Sequence, residues 1–505
     1  MQLISLEFFV FSALALALYR ACPRRARWGV LCAASLLFYL ASGAYSLLCV
    51  VAISLISYFF ALGLEGCRGK AHRTDGERTS EARQGESDMQ AERADRARKI
   101  LLSAGIAAIL SAWLSTKYFS SGNLPLGISF FSLRAISYLF EVGRGRVSAQ
   151  RNFFKFLLFI AWFPAALLGP VTTFGDVSDA LYSGRLATAE QSVSGLLRVA
   201  WGIFKKVVIA NALVSPLSEI VSESQTYTGA YLLFLLIFYS AQIYCDFSGG
   251  IDVALGVSAL FGVALPENFD RPFSSRSLRQ FWNRWHITLG EWFERYVFYP
   301  LSLSKTMQRL SRFCRKRLGV NVGRRLPLYL ATLATWFLTG LWHGASINFI
   351  VWGLTNGALV LLSQGMSPVF EKFYENHPKL KEKRAVLDCL ARVRVFFVIG
   401  AVRLLDLYRS PLTLLRLLGS VFSDGESYAR LPSELFTLIS PRLFLTLLVS
   451  LLVVFLVGKR EITPSEIAKK PCLSAVCFFL LLGASAVLGT YGAGFNSGDF
   501  IYSRY

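Results

Sequence analysis

The sequence predicts an all-α polytopic membrane protein, and three observations support this fold class. Hydrophobic residues make up 54% of the 505 residues and aromatic residues 14%, and the mean hydropathy is +0.47. Soluble proteins contain only about 45–50% apolar residues, even when glycine is counted. Apolar runs of about 20 residues, the length that crosses a bilayer, recur along the whole chain. We therefore expect a single membrane-embedded domain over residues 1–505.

The apolar runs predict about 11 to 14 transmembrane helices, with re-entrant pieces among the central ones. The candidate spans lie near residues 1–20, 28–41, 44–63, 100–118, 125–142, 152–170, 193–215, 228–246, 250–264, 326–341, 345–364, 392–408, 442–458 and 472–491. The first run has no basic segment before it, so we do not expect a cleaved signal peptide. Its arginines, Arg24, Arg25 and Arg27, follow the run instead, which predicts an extracytoplasmic N-terminus.

The net charge of +21 needs no nucleic-acid partner, because membrane topology explains it. Lys and Arg concentrate in residues 64–99, 303–325, 371–394 and 459–470, which the positive-inside rule assigns to the cytoplasm. Residues 304–325 hold eight basic residues and no acidic one, so they could also attract an anionic cytosolic acyl donor. Residues 64–99 are rich in both charges and poor in apolar side chains, which predicts a mobile or partly helical cytoplasmic insertion.

Residues 278–301, "LRQFWNRWHITLGEWFERYVFYPL", predict an amphipathic helix at the bilayer interface. Apolar residues recur there at three- and four-residue spacing and form one stripe. The stripe consists of Leu278, Phe281, Trp282, Trp285, Leu289, Trp292, Phe293 and Tyr296. Aromatic side chains at this density are typical of a helix lying at the membrane surface or under the spans. Arg279, Asn283, His286 and Gly290 flank the stripe on a helical wheel.

Two of the four histidines, His286 and His343, lie in apolar surroundings, whereas His72 and His377 lie in polar loops. His343 is the stronger candidate, because ionisable groups at membrane depth are costly and generally functional. Burial disfavours the charged imidazolium, so a neutral ring could act as a general base. A structural histidine with satisfied hydrogen bonds remains the alternative at both positions.

No protein nucleophile motif and no metal-ligand spacing accompanies these histidines. A base without a nucleophile favours direct transfer, in which a deprotonated acceptor hydroxyl attacks a thioester. We therefore expect no metal site and no permanently bound cofactor.

The chain resembles the membrane-bound O-acyltransferase family, in the bacterial branch of the alginate O-acetylases and teichoic-acid D-alanyl transfer proteins. Three segments carry the resemblance: "YSAQIYCDFSGGIDVALG" (239–256), "LPENFDRPFSSRSLRQFWNRWHITLGEWFERYVFYPL" (265–301) and "LTGLWHGASINFIVWGLTNG" (338–357). The resemblance implies a ring of helices around a thinned central funnel, in which a tunnel meets the acyl donor from the cytoplasm and the acceptor from outside.

The resemblance also implies site residues. His343, in L-W-H-G, matches the principal catalytic position, and His286, in R-W-H, matches the second. His343 would be the base for the acceptor hydroxyl, and His286 would polarise the thioester carbonyl or position the donor, although these roles could be exchanged. Further candidates for substrate or donor binding are Asp246, Gln242, Asn283, Arg284 and Trp342. We expect Asp246, an acid at membrane depth, to pair with Arg284 or Arg279.

The function these features favour is that of an O-acyltransferase of the bacterial cytoplasmic membrane, with O-acetyl transfer as the leading case. The donor would be acetyl-CoA, another acyl-CoA or an acyl-carrier thioester. The acceptor would be a hydroxyl of an exported polysaccharide or an extracytoplasmic partner protein. The alternatives are D-alanyl transfer to a cell-wall polymer, a proton-coupled transporter or flippase with the histidines as a relay, and a structural scaffold. Residues 395–411 lack the family's F-F-R-A element, which leaves the acceptor open.

Overall fold

The structure, a computed structural model, describes residues 4–76, 81–118, 124–344, 346–377, 383–460 and 462–491, with side chains for all of these except 68–76, 81–88 and 374. The α-helices are α1 Leu6–Ala21, α2 Arg27–Ala41, α3 Ala44–Gly76, α4 Glu81–Tyr118, α5 Ile128–Gly143, α6 Phe153–Ala161, α7 Phe174–Ser183, α8 Ala189–Phe204, α9 Val214–Ser222, α10 Ala230–Leu260, α11 Leu278–Trp282, α12 Ile287–Phe293, α13 Tyr299–Ser302, α14 Lys305–Leu318, α15 Val320–His343, α16 Ile347–Asn376, α17 Arg384–Arg403, α18 Pro411–Ser423, α19 Gly425–Leu438, α20 Pro441–Lys459, α21 Pro464–Ala468 and α22 Pro471–Leu488. Two π-helical segments, Lys205–Ala210 and Glu294–Phe298, and four short 3₁₀ turns complete the helical content of the described residues. Within the described ranges there is no strand beyond one isolated bridge, so the all-α prediction is confirmed.

Six of the described helices are long and apolar enough to cross a membrane, which confirms a polytopic membrane protein. These segments are Ala44–Cys67, Met89–Tyr118, Ala230–Leu260, Ile347–Phe373, Pro441–Lys459 and Pro471–Leu488. The number is smaller than the 11 to 14 spans that the apolar runs predict. Several runs form helices that are too short, such as α2 with 15 residues. Helix α15 has 24 residues, but its first two turns include the charged residues Arg324 and Arg325.

Helix α10 occupies the centre of the fold and is buried over most of its length. It packs against α8 through glycines, because a Cβ atom on Gly249 would lie 2.8 Å from the carbonyl oxygen of Gly202. One on Gly256 would lie 2.6 Å from the carbonyl oxygen of Gly195. The two contacting glycines of each helix are seven residues apart. Small residues at this spacing let the backbones of membrane helices approach closely.

The predicted insertion at 64–99 is helical on both sides of residues 77–80, which lie outside the described part of the chain. Helix α3 continues to Gly76 and α4 begins at Glu81, so both extend beyond their apolar segments. Its cytoplasmic location stays a prediction.

The amphipathic helix predicted over 278–301 is not continuous, and this corrects the sequence-based expectation. Helix α11 ends at Trp282 and α12 begins only at Ile287. The apolar stripe is nevertheless buried except for the partly buried Trp282, with Phe281 and Trp285 at most 2% exposed. Periodicity thus identified the buried face, but it could not reveal the break, which occurs at His286.

Candidate active site

His286 lies in the break between α11 and α12, in a backbone conformation that is uncommon for a residue with a side chain. Its φ and ψ are 51° and 50°, in the left-handed region. The chain at 268–270 stabilises this turn, because Asp270 N–H donates to the carbonyl of Arg284 at 3.0 Å and Ile287 N–H donates to the carbonyl of Asn268 at 3.1 Å. The turn directs the imidazole into the protein, where the residue is 4% exposed.

The side chain of Asn268 fixes the orientation and the tautomer of the His286 ring. Its Oδ1 accepts the backbone N–H of Thr288 at 3.1 Å and the Thr288 hydroxyl at 2.9 Å. The same oxygen lies 3.3 Å from His286 Nδ1. Because an oxygen must occupy this position to accept from a backbone N–H, Nδ1 of His286 is the donor. In the neutral ring the acceptor nitrogen is therefore Nε2.

His343 is the last residue of α15, and the end of that helix is held by α4. The final carbonyl groups of an α-helix have no partner within the helix. Tyr118 OH donates to the carbonyl of Leu341, and Lys117 Nζ donates to the carbonyl of Trp342. A Cβ atom on Gly340 would lie 2.4 Å from the carbonyl oxygen of Phe349, so glycine is needed where α15 meets α16.

Tryptophan rings surround the two histidines and connect them. The Trp342 ring centroid is 6.2 Å from that of His286 and 4.9 Å from that of His343. The Trp352 ring lies 4.8 Å from the ring of His343. Trp282 packs against Trp336 at 4.9 Å and against Trp352 at 5.7 Å. We refer to Trp282, Trp336, Trp342 and Trp352 as the tryptophan collar.

Both histidines line one cavity of about 630 Å³, which we name the aromatic cavity. It follows α15 from Leu328 to His343. Its other walls include Asn283, Trp285 and three members of the collar, Trp282, Trp336 and Trp352. Thr332, Thr335 and Thr339 also face it, and each hydroxyl donates to the carbonyl four residues earlier, at 2.8–2.9 Å. The threonines thus satisfy their own donors within the helix. The cavity lining combines these aromatic rings with the charged residues Arg279, Glu291 and Glu294.

His343 also lines a second cavity of about 650 Å³, which we name the charged cavity after its two lysines and two aspartates. Its charged and polar lining residues include Lys117, Tyr118, Lys206, Tyr239, Gln242, Asp246 and Asp406. Of the residues that the structure describes, His343 is the one that lines both cavities. A group bound in either cavity could therefore reach the same imidazole.

Asp246 pairs with Lys206, not with Arg284 or Arg279 as the sequence led us to expect. Lys206 belongs to the π-helical segment Lys205–Ala210, which directly follows α8. This segment turns two successive lysines inward. Lys205 Nζ lies 2.6 Å from Asp252 Oδ2 and donates to Ser248 Oγ at 2.8 Å. π-Helical turns within α-helices occur often at functional sites.

The remaining predicted site residues fall into two groups. Gln242 lines the charged cavity, Asn283 lines the aromatic cavity, and Trp342 contacts both histidines. Arg284 lines neither cavity. Its Nη1 donates to Ser274 Oγ at 2.7 Å, and its Nε lies 3.8 Å from Asp270 Oδ2. Its role in this structure is to hold the turn around His286.

Sequence reasoning missed several polar residues of the site, among them Lys117, Tyr118, Lys206, Tyr239 and Asp406. Lys206 and Asp406 carried a detectable signal, since each is an ionisable residue inside an apolar run, in "IFKKVVIA" and "VRLLDLY". No comparable sequence pattern indicates Asn268. Its importance depends on contacts with His286 and Thr288, which lie 18 and 20 residues away in the sequence.

Residues 103–314 match the model of the membrane-bound O-acyltransferase family, MBOAT. The matched range includes His286 and Asp246, whereas His343 lies beyond it. The chain with this fold and this pair of histidines thus matches the family model over its central part.

The chain is also similar to individual members of this class. It is 34% identical over 260 residues to "Probable alginate O-acetylase AlgI" of Pseudomonas syringae pv. tomato, over 52% of this chain and 46% of that protein. It is 29% identical over 302 residues to a peptidoglycan O-acetyltransferase of Helicobacter pylori, over 54% of each. To a teichoic acid D-alanyltransferase of Bacillus subtilis it is 28% identical over 302 residues, over 56% of this chain and 72% of that protein. The chain spans about half the length of the alginate O-acetylases it matches.

Proposed function

We propose that the protein is a membrane O-acyltransferase that moves an acyl group from a cytosolic thioester to a hydroxyl on the other side of the membrane. The observation that carries this proposal is the position of His343 between the two cavities, one aromatic and one charged. A base at such a junction can meet a donor and an acceptor that never share a compartment. The acceptor is a hydroxyl of an exported polysaccharide or of an extracytoplasmic partner protein.

His343 acts as the general base in this reaction. It takes the proton of the acceptor hydroxyl as the oxygen attacks the thioester carbonyl carbon. The C–S bond then breaks, and the imidazolium returns the proton to the leaving thiolate, so that an ester and a free thiol are formed. Proton transfer by a positioned histidine contributes typically about 10²- to 10⁴-fold to the rate.

His286 positions the donor. A ring that donates through Nδ1 to Asn268 has, when neutral, only the acceptor nitrogen Nε2 to offer. It therefore cannot donate to a thioester carbonyl, which disfavours the carbonyl-polarising role considered from the sequence. An amide N–H of the pantetheine arm, common to coenzyme A and acyl-carrier proteins, is a suitable partner for Nε2.

The aromatic cavity is the donor side of the site. It follows α15 toward the helix start, which adjoins the basic α14 and the other cations of residues 304–325. Positive charge near a cleft raises the local concentration of anionic ligands, and both acetyl-CoA and acyl-carrier proteins are anionic. The same positive charge supports a cytoplasmic location for this end in the bacterial inner membrane, with the N-terminus outside.

Turnover of the thioester by purified protein tests the proposal. With acetyl-CoA and an acceptor present, we expect release of free coenzyme A, and His343→Ala should lower the rate by about 10²-fold or more. His377→Ala is the matched control, because this exposed histidine lies at the end of α16 outside both cavities. Wild-type turnover by His343→Ala in a correctly folded sample would exclude the proposed base.

Mass analysis of surface polymers from cells with and without the protein identifies the acyl group. Loss of the mass of an acetyl ester supports O-acetyl transfer. Loss of a D-alanyl group would place the activity with that of the teichoic acid D-alanyltransferases. Transport of an intact substrate without thioester cleavage would favour a transporter.

A further inference from the structure

We propose that Lys117 binds an anionic group of the acceptor, a carboxylate or a phosphodiester, next to His343 in the charged cavity. This inference rests on the proposed transfer reaction and names the class of acceptor. Lys117 is in the last turn of α4 and lines the charged cavity, which His343 also lines.

The contacts of Lys117 hold its ammonium group in place and leave it capacity to bind. Nζ donates one hydrogen bond to the carbonyl of Trp342, the residue before His343. It also lies over the rings of Trp113, at 5.1 Å, and Trp342, at 5.7 Å. An ammonium group has three donors, so two remain for a ligand in the cavity. The two indole faces stabilise the cation without neutralising it.

In the described part of the chain, two cationic side chains line the charged cavity, Lys117 and Lys206. Lys206 pairs with Asp246. Among the described residues, the ion pairs within 4 Å include none that involves Lys117. Lys117 is partly buried, and a charge that loses water generally has a partner, because leaving water is costly. An anionic acceptor group would supply that partner, and neutral acceptors would not.

The position of Lys117 also fits the acceptor side. Helix α4 begins in the polar segment that the positive-inside rule assigns to the cytoplasm and ends at Tyr118, so Lys117 lies at the opposite end of the span. An exported polymer approaching from outside would meet this ammonium group beside the imidazole that takes its hydroxyl proton.

Transfer to acceptors that differ in charge tests the proposal. The probes are an oligogalacturonate, its methyl ester, an oligomer of glycerol phosphate and a neutral cello-oligosaccharide, with coenzyme A release as the readout. Wild-type protein should prefer one of the anionic probes over the neutral ones, and which one it prefers distinguishes a carboxylate from a phosphodiester. Lys117→Gln should lower kcat/KM for the preferred anion by about ten- to hundred-fold, mainly through KM. Lys117→Arg should restore most of it.

Tyr118→Phe is the control for the structural role of this helix end. It removes the neighbouring bond to the carbonyl of Leu341 and no charge, so it should lower transfer to all probes alike. Equal losses for charged and neutral probes in Lys117→Gln would mean that Lys117 only holds α15, and the proposal would be wrong. The same conclusion follows if wild type shows no preference, or no transfer to any probe. His343-dependent acylation of the surface of intact cells would then show whether the transferase function itself stands.

Discussion

Asn268 should control activity through His286, although it lines neither cavity. Its Oδ1 accepts three hydrogen bonds, from the backbone and hydroxyl of Thr288 and from Nδ1 of His286, at 3.1, 2.9 and 3.3 Å. Asn268→Ala removes all three and leaves the N–H of Thr288 buried without that acceptor. A buried unsatisfied donor costs about 1–3 kcal/mol, and a typical hydrogen bond contributes about 1 kcal/mol. We therefore expect a loss of about 2–4 kcal/mol in the free energy of unfolding.

The effect on catalysis is separate from the loss of stability. Without Asn268 the His286 ring can rotate and change tautomer, so Nε2 no longer faces the donor in a fixed form. A loss of about 1.4–2.7 kcal/mol of transition-state stabilisation corresponds to about ten- to hundred-fold in kcat/KM. Coenzyme A release measures it, at a temperature well below the melting temperature of the solubilised variant.

Two comparisons decide whether this reasoning is correct. Asn211→Ala is a matched control, since Asn211 is also buried and its amide donates to the carbonyl of Thr490, outside the histidine pair. It should lower stability without a comparable loss in kcat/KM. In His286→Ala, the further change Asn268→Ala should cost no additional activity. An additive loss in the double variant would refute a role through His286.

Two further predictions concern the charge pairs and the tryptophan collar. Asp246→Ala should destabilise the protein by about 3–5 kcal/mol, because it leaves Lys206 buried without its carboxylate, and Lys206→Met in the same chain should restore most of the melting temperature. Trp336→Ala should widen the aromatic cavity beside Trp282, so that butyryl-CoA gains about tenfold in kcat/KM relative to acetyl-CoA, since two buried methylenes contribute about 1.6 kcal/mol. An unchanged acyl-length preference would show that the collar does not limit the acyl group.

The sequence predicted the features of this protein that depend on composition and periodicity. The apolar stripe of residues 278–301 is buried as expected, and the two histidines in apolar surroundings do line a common cavity. The partners were harder to predict. Asp246 pairs with Lys206, 40 residues earlier, because a π-helical segment rotates that lysine toward α10. No local sequence pattern encodes such a rotation. Arg284 is nearer to Asp246 than Lys206 is in the sequence, but not in the fold.

The break at His286 shows why helical periodicity failed where function is concentrated. An α-helix satisfies its own backbone hydrogen bonds, whereas an interrupted helix exposes several donors and acceptors. At membrane depth, non-helical backbone is tolerated only where protein covers it or where it lines a cavity. Here the turn at His286 is covered by residues 268–270, and the end of α15 at His343 is covered by Lys117 and Tyr118.

The break at His286 and the end of α15 at His343 each bring an imidazole to the aromatic cavity. A continuous helix through 278–301 would leave residue 286 on the flank of the stripe, where the helical wheel puts it. The left-handed turn is what directs the ring inward, so the unusual backbone and the proposed chemistry depend on each other. A variant that restores regular helix across 283–286 should therefore lose transfer even if both histidines are retained.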